Sequence, residues 1–483
     1  MSLFDSFIMQ RKKILLFFLL LCSYIGSISA TDFSINRKKE RSKFWTFFHL
    51  DSTATNLKYT TSDYLSENTP QQWGVKVGGY VGVDLNWDTR HNVNAREGIL
   101  TLYPQDIVLD ANGKDINARS SFNLLAMNTR LSIRIQAPQA LGANISGLVE
   151  GWFIGVSNIT SNSFSLRHAF ISLQWTNTKL LIGQSWHPLF TEDCFAYTVS
   201  GSAGAPFQPF SRAPQIRLDQ TLGKYHHLIV YINSQRDYSS LGPNGSSSEY
   251  LRYSAIPESG LQYYFKFDKE KKNSTLFGLG GDYKYLIPRE TTADNIATQK
   301  GVHSWAGLLF FHHCSYLKTD NQIGIKAKVV WTCGFNDMLT VGGYAIKYYN
   351  PLPLNQNIDY EYVGLHNISA WIDIYANIKA WEFAIFAGYC ENLGALSNIQ
   401  DWNNANSYFM SNFNIKNIYR IAPRIKYNAK KLQFSFEPEY TSVCYGNTRN
   451  SVGVVQKTNT DYPNAQIHAV HNLRFLFSTT LFF

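Results

Sequence analysis

Much of this chain alternates between apolar and polar side chains with a period of two. From Gly74 to Asp88, Val75, Val77, Val81, Val83, Leu85 and Trp87 share one parity, and Lys76, Gly78, Tyr80, Gly82, Asp84, Asn86 and Asp88 the other. Successive side chains of a strand point to opposite faces, so this spacing predicts a strand with one oily and one polar side. The stretch His468 to Phe483 repeats the pattern: Leu473, Phe475, Phe477, Leu481 and Phe483 oppose Asn472, Arg474, Ser478 and Thr480, with Leu476 out of place. So aromatic a strand is a pairing hazard at a free sheet edge. Pairing it with the first strand in a closed barrel removes the edge and turns its rings to lipid.

The same spacing predicts strands over 120–136, 144–155, 166–175, 179–186, 214–221, 225–236, 260–267, 274–285, 302–316, 322–332, 368–376, 381–389, 416–426 and 432–443. Short connections of about four to six residues alternate with long ones of about 10 to 34, the arrangement of periplasmic turns opposite external loops in an outer-membrane barrel. The longest excursion, 334–367, carries a hairpin of its own. With it treated as loop, the expectation is an all-β, transmembrane antiparallel barrel of about 16 strands. The pattern breaks at His187 to Ala213, a stretch rich in Gly, Pro and Ser. A soluble β-helix or propeller is disfavoured because no fixed repeat period occurs.

Composition supports lipid contact. The chain has 483 residues, of which 15% are aromatic and only 16% charged, against roughly 25% charged in a soluble domain. The net charge of +9 has no compact basic tract behind it in the later strands, so nucleic acid is not an expected partner. A positive lumen favouring anionic solutes is a better use. Arg11-Lys12-Lys13, then the apolar run Ile14 to Leu21, then Ser27, Ser29 and Ala30 form a secretory signal with cleavage after Ala30. The domain reading is therefore a signal peptide at 1–30, a periplasmic extension at 31–73 and the barrel at 74–483. Five cysteines follow the signal, at wide spacing without a zinc or CxxC pattern.

The candidate functional residues are charges expected to face the lumen. Arg130 and Arg134 share the polar side of one strand, and Arg217 and Asp219 that of another. Arg212 closes the 187–213 loop, Arg420 and Arg424 share a face with Lys426, and Arg474 points inward on the last strand. Glu192 and Asp193 in the loop oppose these cations, and Glu150 shares its face with Trp152. Guanidiniums on a curved wall line an anion pathway, although inward charges also brace a barrel through pairs. Trp87, Trp152, Trp175, Trp186, Trp331, Trp371 and Trp381 suit aromatic girdles, with Trp152 the best case for a lumen position. The pairs His226-His227 and His312-His313 point to opposite faces and make no metal site. No HExxH, GxGxxG, P-loop or GxSxG context occurs, so no cofactor and no catalytic residue is expected.

The sequence resembles the DcaP-like group of outer-membrane porins, in a Bacteroidota-type version. The resemblance is carried by GGYVGVDLNWD at 78–88, RLSIRIQAP at 130–138, SLRHAFISLQW at 165–175, LLIGQSWHPLF at 180–190 and SRAPQIRL at 211–218. It implies a 16-stranded porin, often a homotrimer, passing small and frequently anionic solutes. It also implies that the 187–213 loop folds inward and that Arg130, Arg134, Arg212 and Arg217 line the constriction. The amino-terminal part departs from the group: no heptads appear where a coiled-coil extension is expected.

The functional expectation is a Gram-negative outer-membrane porin for passive diffusion of small hydrophilic solutes, not an enzyme. Its surroundings would be outer-membrane lipid and lipopolysaccharide, and the barrel-assembly machinery during insertion. The rivals are an accessory barrel that scaffolds a surface or secretion complex, and a barrel enzyme acting on lipid or polysaccharide.

Overall fold

Sixteen strands hydrogen-bond to their sequence neighbours, every pair antiparallel, until the last returns to the first. In the computed structural model the described residues are 73–269, 273–292, 294–317, 321–349 and 358–483. The export signal expected at 1–30 and all but the last residue of the extension expected at 31–73 lie outside them. The strands are β1 Gly74–Asp88, β2 in two pieces (Ser121–Leu125 and Arg130–Ala140), β3 Ala143–Trp152, β4 Ser165–Gln174, β5 Thr178–Trp186, β6 Arg212–Leu222, β7 His226–Asn233 and β8 Glu258–Lys269. The circuit continues with β9 Asn273–Leu286, β10 Val302–Tyr316, β11 Gln322–Cys333, β12 Tyr362–Ile378, β13 Trp381–Ala395, β14 Ile415–Ala429, β15 Leu432–Gly446 and β16 Ile467–Phe482. Among the described residues no helix is long and apolar enough to cross a membrane.

The closing seam joins the two strands with the clearest alternation. Val81 lies opposite Leu481, Leu85 opposite Phe477 and Trp87 opposite Phe475. The Trp87 and Phe475 rings stack at 5.8 Å, and Gly79 and Phe483 exchange backbone hydrogen bonds of 3.3 and 3.1 Å. No backbone edge is left at the seam, which is what a lipid phase requires. On the outside, Val75, Val77, Ile133, Ile171, Ile182, Ile216, Ile385 and Phe477 are exposed. On the inside of the same strands, Asp84, Ser132, Ser172 and Ser478 are buried. The outer apolar band meets hydrocarbon at no desolvation cost, and the polar groups are enclosed.

Three departures from strict alternation matter. The stretch expected as one strand over 120–136 breaks at 126–129, because side chains replace the ladder there. Asn128 donates to Asp84 at 3.0 Å, and Thr129 Oγ1 accepts the Gly82 N–H at 3.3 Å. β12 starts at Tyr362, within the stretch expected as loop, because it pairs with a short strand, Gly343–Ile346, that in turn pairs with Tyr408–Met410. In β4 the register slips so that Gly151 faces Leu166 while Glu150 faces His168. Arg167 is the extra residue of this bulge, and it turns inward beside His168.

The wall is not of even height. β3 to β7 have 8 to 11 residues each, whereas β9, β10 and β12 to β16 have 14 to 17.

Candidate functional site: the barrel interior

The barrel interior is occupied by chain. A hairpin formed by Asn92–Ala95 and Leu100–Pro104, and the loop from His187 to Ser211, bury most of their side chains against the inner wall. Leu100, Phe190, Phe195, Ala196, Ala205 and Phe207 are fully buried in one apolar cluster with Val330, Trp371, Phe386 and Ile418 of the wall. The sequence explains why this loop folds inward. Its Phe, Ala and Gly residues are aromatic or small and pack tightly against the apolar part of the inner wall. Trp186 at the end of β5 stacks on Phe190 at 3.9 Å. Gly388 on β13 makes room for the ring of Phe207; a Cβ there would meet the ring at 2.6 Å.

The loop's remaining backbone groups are taken up by charged side chains from the wall. Lys328 donates to the Phe190 carbonyl at 2.6 Å, Lys426 to the Tyr197 carbonyl at 3.0 Å and Arg420 to the Ala205 carbonyl at 2.9 Å. Glu437 accepts the N–H groups of Val199 and Ser200, and Asp373 that of Tyr197. Arg420 also donates to the Leu102 carbonyl at 2.6 Å, and Arg474 to that of Gly98 at 2.7 Å, so the hairpin is held as well. Behind these contacts, Arg424 pairs with Asp373 at 2.6 Å and Glu382 at 2.9 Å. Arg420 pairs with Glu439 at 3.2 Å.

On the opposite side of the lumen four guanidiniums, three from the wall and Arg96 from the hairpin turn, surround one indole. Arg96, Arg130, Arg167 and Arg212 lie 5.7, 5.5, 5.1 and 4.3 Å from the ring of buried Trp152. Glu150 balances this cluster through Arg167 and, at 3.5 Å, Arg130. Asp237, in the loop after β7, bridges Arg96 and Arg212, each at 2.6 Å. Burial alone would raise the Asp237 carboxyl, but the two guanidiniums outweigh it and hold it at about 2.

Between these two regions the charges reach water. Glu192 and Asp193 in the loop keep 45% and 40% of their side chains exposed, and they face Arg217 and Lys266 on the wall at 4.0 Å each. Arg217 is clamped bidentately by Asp219 at 2.6 and 3.0 Å. Near the tight-turn end of the barrel a cavity of about 220 Å³ opens beside Lys76, Arg134, Gln136, Ser146, Phe170 and Gln174.

The eleven residues singled out from the sequence therefore fall in different surroundings. Arg130, Glu150 and Arg212 belong to the indole cluster, and Arg420, Arg424 and Arg474 to the contacts under the loop and hairpin; all six are buried. Glu192, Asp193, Arg217 and Asp219 are partly exposed beside one another, and Arg134 borders the cavity. Trp152, the best case for a lumen position, is buried inside; Trp186 and Trp371, expected in girdles, are buried there too, since their parity is that of the inner face. Trp87 and Trp381 are exposed on the outside. Alternation alone overlooked Arg96, Arg167, Asp237, Asp373 and Glu437. The parity of Lys326, Lys328, Asp373 and Glu437 was available on their strands; that of Arg167 was hidden by the bulge.

No protein-family model matches the chain, and no curated protein matches it in sequence. Solved structures do match it in fold. The outer membrane channel DcaP of Acinetobacter baumannii superposes with a TM-score of 0.57 at 13% identity, over 85% of this chain and 97% of that one. An anion-selective porin from Comamonas acidovorans gives 0.48 at 10% identity, over 85% and 100%. OmpT of Vibrio cholerae gives 0.46 at 9%, over 86% and 99%. What is shared is the fold. A closed 16-strand barrel with an apolar outer belt is an outer-membrane structure, and the chain is a distant porin-like barrel of the outer membrane.

Proposed function

We propose that this protein is a porin of the DcaP-like group that passes small hydrophilic solutes, anionic ones among them, by passive diffusion. The observation that carries this reading is the row of partly exposed charges inside the barrel, Glu192 and Asp193 on the inward loop beside Arg217 and Lys266 on the wall. Opposed charges that touch water orient a polar solute and admit it without a chemical step. Arg134, at the cavity toward the tight-turn end, extends the cationic path. The buried members of the candidate set, Arg130, Glu150, Arg212, Arg420, Arg424 and Arg474, line the pathway indirectly, by fixing the loop and hairpin that shape it. The reading includes no enzyme activity and, from the resemblance, a homotrimer. It is tested in planar bilayers: discrete steps with anion-favouring reversal potentials are expected, and neutralising Arg134 and Arg217 moves the potential toward zero. A folded barrel without steps rejects the channel. The tight filling of the interior by the 187–211 loop would then favour the second reading, an accessory barrel that scaffolds a surface complex.

A further inference from the structure

One side-chain pair recurs on the outer face. Among the described residues, four histidines share parity with the exposed Val230, Leu309 and Phe477 of their strands, and each meets a hydroxyl of the neighbouring strand through Nδ1. His226 of β7 meets Tyr263 Oη of β8 at 2.6 Å, and His303 of β10 meets Tyr283 Oη of β9 at 2.8 Å. His471 of β16 meets Tyr440 Oη of β15 at 2.8 Å, and His313 of β10 meets Thr275 Oγ1 of β9 at 2.8 Å. The rings pack as well: His226 stacks on Tyr263 at 6.0 Å, His471 on Tyr440 at 5.7 Å, and His303 lies 4.7 Å from Tyr285. A phenol donates more readily than it accepts, because its oxygen lone pair is spread into the ring. With Nδ1 accepting that hydrogen, the neutral imidazole carries its own on Nε2. His226, His303 and His471 are exposed, so this N–H is left for an acceptor outside the protein.

The four positions lie toward the two ends of the wall. His226 opens β7 directly after a tight turn, and His313 is three residues short of the end of β10 that leads into the next tight connection. His303 is the second residue of β10 and His471 the fifth of β16, each after a long connection. His303 and His313 stand ten residues apart on one strand. At about 3.3 Å per residue and a tilt near 45°, that is about 23 Å along the membrane normal. Two groups so far apart bracket an apolar band of about 25 Å rather than share its middle. The outward residues between them, Trp305, Gly307, Leu309 and Phe311, are apolar or aromatic. An N–H without an acceptor is costly in hydrocarbon, but toward the edges of the band it meets headgroups.

The neighbours select the acceptor. Lys224, exposed in the turn, is two residues from His226. Lys300, which pairs with Glu361 at 3.1 Å and keeps 48% of its side chain exposed, is three residues from His303. An N–H donor with an ammonium group nearby suits an anionic oxygen, and in a headgroup layer that oxygen belongs to phosphate. We propose that the outer-face His–Tyr pairs are lipid-phosphate contacts: His226 with Lys224 at the tight-turn rim, and His303 with Lys300 at the exterior rim, each hold a headgroup phosphate of the surrounding bilayer lipid. The tyrosine fixes the tautomer and the angle of the imidazole, and the lysine supplies the charge. This depends on the barrel lying in a membrane and not on the channel reading above.

The test compares lipids with and without phosphate. The full-length protein and its double variant His226→Phe/His303→Phe are folded into vesicles of phosphatidylglycerol and phosphatidylcholine, and into vesicles of the phosphate-free digalactosyldiacylglycerol. Tryptophan fluorescence during urea titration gives the unfolding midpoint in each. Phenylalanine keeps a ring in place and removes both nitrogens. Losing the bond to tyrosine counts equally in the two lipids, so the variant's midpoint should fall further in phospholipid than in galactolipid. Equal falls, or no fall in either lipid, would reduce the pairs to staples between strands and overturn the proposal. So would a rise of the wild-type midpoint in galactolipid on adding inorganic phosphate to the buffer, which would make these sites for a soluble anion. Lys224→Gln, confined to an exposed turn, serves where the histidine variant does not fold. Its midpoint should fall in phospholipid and hold in galactolipid; the same midpoint shift in both lipids overturns the proposal.

Discussion

Glu437 and Ser200 stand 237 residues apart in the chain, yet Glu437 Oε1 accepts the Ser200 N–H at 3.0 Å while its Oε2 accepts that of Val199 at 2.8 Å. One carboxylate on β15 thus closes the bend of the inward loop. Glu437→Ala leaves both amide groups without an acceptor, at about 1–3 kcal/mol each. The variant should unfold at a lower temperature in detergent, as read by heat-modifiable gel mobility, and its current steps should be larger and noisier. Unchanged traces would show that the loop bend is held by packing alone.

Asp237 ties the hairpin to the wall through Arg96 and Arg212, and its stabilising effect depends on pH. Its folded value of about 2 lies below the ordinary 3.8. The carboxylate's contribution is therefore complete above pH 3.8 and is lost as pH falls through about 2, a change of about 2 kcal/mol. Wild type should lose stability on that acid limb, and Asp237→Asn should be less stable at neutral pH with a flatter acid limb. Parallel acid limbs in the two proteins would count against the bridge.

The partly exposed charges inside the barrel should set selectivity. Arg217→Glu places a third acid beside Glu192 and Asp219. Reversal potentials in a salt gradient should move toward cation preference, and the shift should shrink at high salt as screening shortens the range of the field. A potential that does not move would take the permeation path elsewhere.

Ile385 on β13 is exposed on the outer face. An arginine there should cost about 2–4 kcal/mol if that face meets the middle of the bilayer. Val156, in the loop after β3, is also exposed, and Val156→Arg should be nearly neutral. Urea titrations of the two variants in lipid vesicles compare these costs directly. Equal costs would mean that exposure at Ile385 is not exposure to lipid.

Period-two spacing was sufficient to read the barrel, because in lipid each strand must present a continuous oily face. The seam from Val81 to Trp87 and from Phe475 to Leu481 was legible for that reason. The inward loop was legible only as an interruption. Its anchors were not, since pairing Glu437 with Ser200 or Lys328 with Phe190 depends on how a loop crosses the lumen. Arg167 was hidden by a single bulged residue, which reverses the parity of everything before it on that strand. Trp186 and Trp371 lie near strand ends, where a ring suits a girdle, but their parity puts them inside, as the shared face with Glu150 does for Trp152.

The uneven wall has a consequence for how anything approaches the mouth. Strands of 8 to 11 residues in β3 to β7 are just long enough for a bilayer's hydrocarbon, while the 14 to 17 residues of β9, β10 and β12 to β16 exceed it. Five extra residues at about 3.3 Å each, tilted near 45°, add about 12 Å of height. With tight turns at the opposite end, that height rises on the cell's exterior as a palisade along one flank. On the channel reading proposed above, a solute arriving along the membrane surface would meet the lower flank first, on the side where Arg217 lies.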